Sequence, residues 1–435
     1  MKKVIQGSFL VLVCVSLGLS GCSGTRGDDS SLSDDLSVQP IFPFDESIIV
    51  GDPEGRPADP YLTTSASGNV FMSWTEDNPV DGRNLFVATV ASGGQQVSEI
   101  RQANHDPVAG HGGENLAKFA VTADEDVWAM FQPVSHFYKR STVAVTHAAS
   151  GGSFSPEVRL NDSDDIAEDS KANFTAIGAS PDGRIFALWL DGRNDMEAKK
   201  VWTAVSDDGG RTFSENYAIS DRVCPCCRPA IEFLDGGKTV VIAHRQFAVA
   251  SGYIDPVNER NHVMIRSTDG GKTFSDSVLI SDDGWVAYGC PHAGISISAD
   301  SQDRIHVAWW TGGRIPDEAG IYYSYSEDSG QSFAPRQLIS KVPEDTILHT
   351  RIIVDKNDTV YATWEEVKGN RSLIFLAHRD ASKGDWSQIY QVSDGTRNAS
   401  YPMLATDDEN LYIAFTERKG EEAHVRLQTS ALLGN

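Results

Sequence analysis

Seven times along the chain the same pattern returns: an alternating strand, a turn holding Gly, Asp or Asn, and a second apolar strand that closes on a bulky residue. The copies read "PYLTTSASGNVFMSW", "NLAKFAVTADEDVWAMF", "NFTAIGASPDGRIFALW", "RPAIEFLDGGKTVVIAH", "AGISISADSQDRIHVAWW", "TRIIVDKNDTVYATW" and "PMLATDDENLYIAF". They close at Trp74, Phe131, Trp189, His244, Trp309, Trp364 and Phe415, at spacings of 57, 58, 55, 65, 55 and 51 residues. Period-two alternation with tight turns is the mark of half-buried hairpin strands. Each unit has room for two further strands, as in "NLFVATVASGGQQVSEIRQ" and "KVWTAVSDDGGRTFSENYAIS". Four antiparallel strands repeating every 50 to 60 residues or so make a propeller blade. The expected fold is all-β: a β-propeller of four-stranded antiparallel blades, with seven blades favoured and six plus a degenerate addition as the alternative. The last unit is a strand short, since only "AHVRLQTSAL" follows "NLYIAF". The segment Glu46–Val50, "ESIIV", is expected to supply the missing strand and close the ring, which removes an exposed sheet edge.

The N-terminus sets the compartment. Lys2 and Lys3 precede the apolar run "FLVLVCVSLGLS" and then "LSGC", Leu19 to Cys22. That run is too short to span a bilayer and reads as a signal peptide over residues 1–21. Its approach to the cysteine resembles the lipobox of bacterial lipoproteins, which implies cleavage before Cys22 and a lipid on its thiol; an ordinary secretory signal is the plainer alternative. Residues 22–43 are small and acidic, "CSGTRGDDSSLSDDLSVQPIFP", and are expected to be a tether. The propeller is then 44–435, in the cell envelope, facing the periplasm or the exterior. The chain has 37 basic and 61 acidic residues, so losing Lys2 and Lys3 leaves it near −26. Such a field excludes nucleic acid as a partner and leaves the lipid as the means of membrane attachment.

Three units carry nearly the same octapeptide between their third and fourth strands: "SDDGGRTF" at 206–213, "STDGGKTF" at 267–274 and "SEDSGQSF" at 326–333. "HAASGGSF" at 147–154 is a decayed copy. In such a turn the Asp side chain caps local N–H groups, Gly permits positive φ, and the Phe packs beneath. The octapeptide resembles the Asp-box, or BNR repeat, of the sialidase (neuraminidase) superfamily, and the resemblance covers residues 44 to 430.

That resemblance implies an arginine clamp for a substrate carboxylate, a tyrosine nucleophile activated by a glutamate, and an aspartate acid/base, with no cofactor. "SYPML" at 400–404 is similar to the nucleophile segment and offers Tyr401, with Glu417 at the end of the following strand. Arg228 and Arg351 open the first strands of units four and six. Asp77 and Asp81, in "WTEDNPVDGRN", occupy the loop where the acid/base belongs, and Asp81 is the candidate taken forward. In the first unit Ala58 stands where the family has its first clamp arginine. The implied activity is an exo-glycosidase on terminal sialic or related acidic sugars. Against it stand a channel-lining role for Tyr401, ordinary salt bridges for the arginines and solvated loop carboxylates.

A second constellation is read from the residues alone. "VCPCCRP" places Cys224, Cys226 and Cys227 at the start of unit four, and "YGCPH" places Cys290 and His292 at the equivalent point of unit five. Outside the cytoplasm thiols pair by default. A Cys226–Cys290 bond with Cys224–Cys227 is the favoured arrangement. Of the three possible pairings, Cys224 with Cys290 would force a vicinal Cys226–Cys227 bond across a Cα separation of about 3.8 Å, below the usual range of about 4.4 Å upward. The same five residues form a soft ligand set for Cu(I) or Zn, and a strained redox pair beside Arg228 is a third reading. His136, His349 and Trp310 are further mouth candidates. The non-hydrolytic alternative is therefore a propeller that binds a glycan, a small anion or a protein partner, or that carries a metal or redox centre.

Overall fold

The computed structural model describes residues 40–109, 113–134, 142–162, 172–193, 199–247, 259–287, 291–343, 349–381 and 384–433. One compact unit, Gln39–Asn435, holds all of them. Residues 1–39, where a signal peptide, Cys22 and most of a tether are expected, lie outside the described residues, as do His136 and Cys290. Among the described residues no helix is long and apolar enough to cross a membrane.

Seven four-stranded antiparallel sheets are present. Their innermost strands are Ala58–Thr64, Lys118–Val121, Asn173–Ala179, Ala230–Leu234, Ser296–Ala299, Arg351–Val354 and Asn398–Thr406. Blades one to six each take four consecutive strands. Blade seven takes three from the C-terminus and its outermost from Glu46–Val50, which pairs with Glu422–Ala431 from Glu46 opposite Thr429 to Val50 opposite Val425. The seven-bladed, N-terminally closed ring expected from the repeats is the architecture found.

The repeated bulky residue explains why the blades stack. Trp74, Trp189, Trp309 and Trp364 are fully buried, and each sits in an apolar cluster shared with the preceding blade. A wide aromatic at that position buries area that one sheet cannot cover by itself. In blade four the position is held by His244, whose two ring nitrogens lack partners; burial pushes its pKa down to about 4. His244 shares a strand face with Val240 and Ile242, in the cluster that also contains the three described cysteines.

The three octapeptides fold alike. In the first, Gly210 N–H donates to Ser206 Oγ at 2.7 Å, while Thr212 donates its N–H to Asp208 Oδ1 at 2.9 Å and its hydroxyl to Oδ2 at 2.7 Å. The same bonds recur around Asp269 and Asp328. Gly210, Gly271 and Gly330 all have positive φ, and each abuts a side chain of the preceding blade: Trp128, Phe186 and Met264. The turn thus seats one blade on the next.

Candidate active site

Strand register arranges two tiers of side chains at one mouth of the channel. Tyr61, Lys118, Ala176, Ala230, Ser296, Arg351 and Met403 each pair with the residue just before the bulky closing position and form the inner tier. Two residues earlier in each blade, at the entry to the inner strand, come Asp59, Leu116, Phe174, Arg228, Gly294, His349 and Tyr401. Asp59, Phe174 and Tyr401 have left-handed φ of 58°, 53° and 57°. Each coincides with a register shift in its strand pair. Non-glycine residues held in this region store strain, and such positions cluster at functional sites.

Blades two, four and six place cations at this mouth. Lys118, Arg228 and Arg351 line one cavity of about 150 Å³ together with Tyr61 and Met403. All three are buried, at 2%, 7% and 5% exposure. Glu114, fully buried in a single helical turn before blade two, forms an ion pair with Arg228, Oε2 to Nε at 2.9 Å. Gly294 makes room for that pair, since a Cβ there would lie 2.5 Å from Glu114 Oε2. Arg351 gives Nη1 to the Thr350 carbonyl at 2.8 Å and Nε to Met403 Sδ at 3.1 Å, and its Nη2 has no partner. Lys118 Nζ has none either and lies 5.3 Å from the Tyr61 ring centroid.

Charge at the mouth follows from burial and proximity. Burial alone would raise the Glu114 pKa, but Arg228 and Arg351, then His349 and Lys118, hold it down at about 2. Lys118 is displaced well below the usual lysine range, by burial first and then by Arg228 and Arg351, with Glu114 and Asp59 offsetting part of this. Burial and then Arg228 lower Arg351 to about 10.

The sequence candidates separate into those at the mouth and those elsewhere. Arg228, Arg351 and Tyr401 come together there, with His349. Tyr401 is half-buried; its N–H donates to Glu365 Oε2 at 2.8 Å and its ring centroid lies 4.6 Å from that of His349. Glu365 Oε1 lies 2.6 Å from His349 Nδ1, and Nε2 of that imidazole is buried without a partner. The carboxylate beside Tyr401 is thus Glu365. Glu417 is occupied by an ion pair with Arg426 at 2.9 Å. Asp77 is held by Arg56 and Arg83. Asp81 is exposed on a turn, where it accepts from the N–H of Gly82 at 2.8 Å. His292 rests 5.7 Å from the Phe174 ring, and Trp310 is buried between blades five and six.

Cys224, Cys226 and Cys227 are buried free thiols between blades three and four. Cys224 Sγ lies 3.7 Å from Cys226 Sγ and 3.4 Å from Cys227 Sγ, so the expected Cys224–Cys227 bond is not formed. The guanidinium facing them is that of Arg260, whose Nη1 is 2.9 Å from Cys224 Sγ; Arg228 turns to Glu114 instead. The three sulfurs form a group of metal-ligating geometry, which His292 does not join.

Lys118, Glu114 and Glu365 escaped the sequence reading. Lys118 carried a faint signal, as the one charged residue within the apolar run "LAKFAV". Glu365 directly follows the closing Trp364, where two glutamates in a row read as a strand end.

No protein-family model matches the chain, and no curated protein matches it. Solved structures do share the fold. An ulvan lyase of polysaccharide lyase family PL25, solved bound to -[GlcA(1-4)Rha3S]-, superposes with a TM-score of 0.56 at 10% identity, over 88% of this chain and 94% of its own. The polysaccharide lyase Uly1 gives 0.54 at 12% identity, over 86% and 89%. The intramolecular trans-sialidase from Ruminococcus gnavus gives 0.46 at 13% identity, over 92% and 98%. The chain therefore has the propeller fold on which these two lyases are built, and its chemistry has to be argued from its own residues.

Proposed function

We propose that the protein binds and cleaves a carboxylate-bearing glycan at this mouth, the acidic sugar seating its carboxylate against Arg351, Lys118 and Arg228. The observation that carries this reading is the pair of unpartnered buried donors, Lys118 Nζ and Arg351 Nη2, on one small cavity. Planar guanidinium favours a carboxylate, and a buried unmatched donor gains most when an anion arrives. The fold supports the reading at a coarse level, since an ulvan lyase built on it was solved with a glucuronate-containing sugar.

In the hydrolytic version the ring is a terminal sialic or related acid. The Tyr401 oxygen attacks the anomeric carbon, the aglycone departs with a proton, and water then releases the sugar. The position of Glu365 and His349 favours a second version. With Nδ1 turned to a carboxylate, the lone pair of His349 rests on Nε2, as a general base requires. A base beside a clamped carboxylate is the arrangement for removing the α-proton of a uronate and expelling the 4-linked sugar by elimination. The cell-envelope location and the lipid on Cys22 belong to the same proposal, and loss of fatty-acid labelling in Cys22→Ala tests them.

The experiment is to incubate the protein with a fluorogenic sialoside and, separately, with a glucuronate-containing polysaccharide. Release of fluorophore supports hydrolysis, and ultraviolet absorbance from an unsaturated uronate supports elimination. Binding without either product leaves a glycan-binding propeller, and neither binding nor product overturns the proposal.

A further inference from the structure

We propose that Cys224, Cys226 and Cys227 form a three-thiolate site for Cu(I), charge-balanced by Arg260 and Arg245. The site lies between blades three and four and depends on nothing in the glycan reading.

Geometry is the first argument. The sulfurs lie 3.7 and 3.4 Å apart along two edges of their triangle, and all within 4.8 Å of one another. With metal–sulfur bonds of about 2.3 Å, an ion in the plane of three sulfurs needs edges of about 4 Å. Shifts of a few tenths of an ångström would suffice.

The second argument is charge. Arg245 is fully buried; its Nη2 donates to the carbonyls of Ala293 at 3.1 Å and Trp310 at 2.8 Å, while Nε and Nη1 have no partner. Arg260, also buried, gives Nη1 to Cys224 Sγ at 2.9 Å and Nη2 to the Ala287 carbonyl at 3.2 Å. Among the described residues neither has a carboxylate partner, and two buried guanidinium charges left so are costly. Thiolate is the anion within reach. Cys224 joins both strands that carry these arginines: its N–H donates to the Arg245 carbonyl at 2.8 Å, and its Sγ faces Arg260. Three thiolates on one Cu(I) carry −2, which the two arginines neutralise.

The third argument is coordination number. A buried structural zinc ion takes four ligands. Among the described residues no fourth His, Cys, Asp or Glu joins this group. Soft thiolates select Cu(I), which is content with three. Loading needs no oxidant: Cu(I) enters, each thiol still protonated releases its proton to solvent, and the sulfur lone pairs form the bonds.

The test is to reduce the full chain under anaerobic conditions, titrate it with Cu(I) against a bathocuproine competitor, and record copper-edge X-ray absorption. One copper withheld per chain, with three sulfur neighbours and no nitrogen or oxygen, is the expected result. Cys226→Ser should abolish retention, and Arg260→Gln should weaken it about ten- to hundred-fold with the sulfur shell unchanged. If a variant fails to fold, stoichiometry and absorption on the unmodified chain still decide. Fully reduced protein that retains no copper, copper bound through nitrogen or oxygen, or Zn(II) displacing the copper at equal stoichiometry would each overturn the site.

Discussion

Glu114 Oε2 and Arg228 Nε stand 2.9 Å apart at the channel mouth, both side chains shut away from solvent. The pair joins the segment before blade two to the start of blade four, and it is the one ion pair among the mouth cations in the described residues. Removing the carboxylate leaves Arg228 buried and uncompensated, at a cost of about 3 to 5 kcal/mol. Glu114→Gln should therefore lower stability in denaturant titration while strengthening anion binding. The pH dependence has a definite sign. The folded carboxyl sits at about 2 against an ordinary 4.5, so its stabilisation is whole above 4.5 and is lost as pH falls toward 2. The stability gap between wild type and Glu114→Gln should shrink over that interval.

Lys118 gives the opposite signature. Its folded pKa lies well below the ordinary 10.5, so the unfolded chain binds the extra proton and Lys118 weakens the fold at neutral pH. Lys118→Met should be the more stable protein at pH 7, with the advantage fading as pH rises to 10.5. A bound carboxylate favours the charged ammonium and raises the Lys118 pKa. Calorimetry in buffers of different ionisation enthalpy should show proton uptake on binding of an acidic sugar, affinity declining as pH rises, and no uptake in Lys118→Met.

The ring was legible in the sequence because its signals are local. Trp74, Trp189, Trp309 and Trp364 each close an alternating hairpin, and the shortfall after Phe415 pointed to Glu46–Val50. Arg228, Arg351 and Tyr401 could be named from sequence because they stand at strand starts, which a propeller gathers at one mouth. Lys118 and Glu114 were not. A lysine in a strand reads as outward-facing, and only ring closure turns position 118 into the channel. Glu365 was missed for a related reason: it reaches Tyr401 from the adjacent blade, while Glu417 is paired with Arg426 on the neighbouring strand.

The octapeptide turns make a stability prediction of their own. At Gly271, with φ of 86°, a Cβ would meet the Phe186 ring at 2.5 Å; at Gly209, with φ of 71°, nothing lies within 4 Å. Gly209→Ala should lose about 1 to 2 kcal/mol for its left-handed backbone. Gly271→Ala should lose roughly 1 to 3 kcal/mol more, because blade three must yield to it. Thermal unfolding of the two variants side by side measures the difference.

The pair formed by Tyr401 and His349 separates the two cleavage chemistries. If Tyr401 is the nucleophile, Tyr401→Phe should reduce turnover of a sialoside by several orders of magnitude, while His349→Gln costs far less. If His349 is the base, His349→Gln should abolish formation of unsaturated uronate while leaving the affinity for a uronate within about threefold.

Both chemistries require that this mouth recognise a carboxylate. The most direct measurement is calorimetric titration with an acidic oligosaccharide and with its methyl ester, against the wild type and Arg351→Met. The acid should bind at least about tenfold more tightly than the ester, and Arg351→Met should remove the difference. Equal affinity for acid and ester, or an acid preference that survives Arg351→Met, would contradict carboxylate recognition at this mouth.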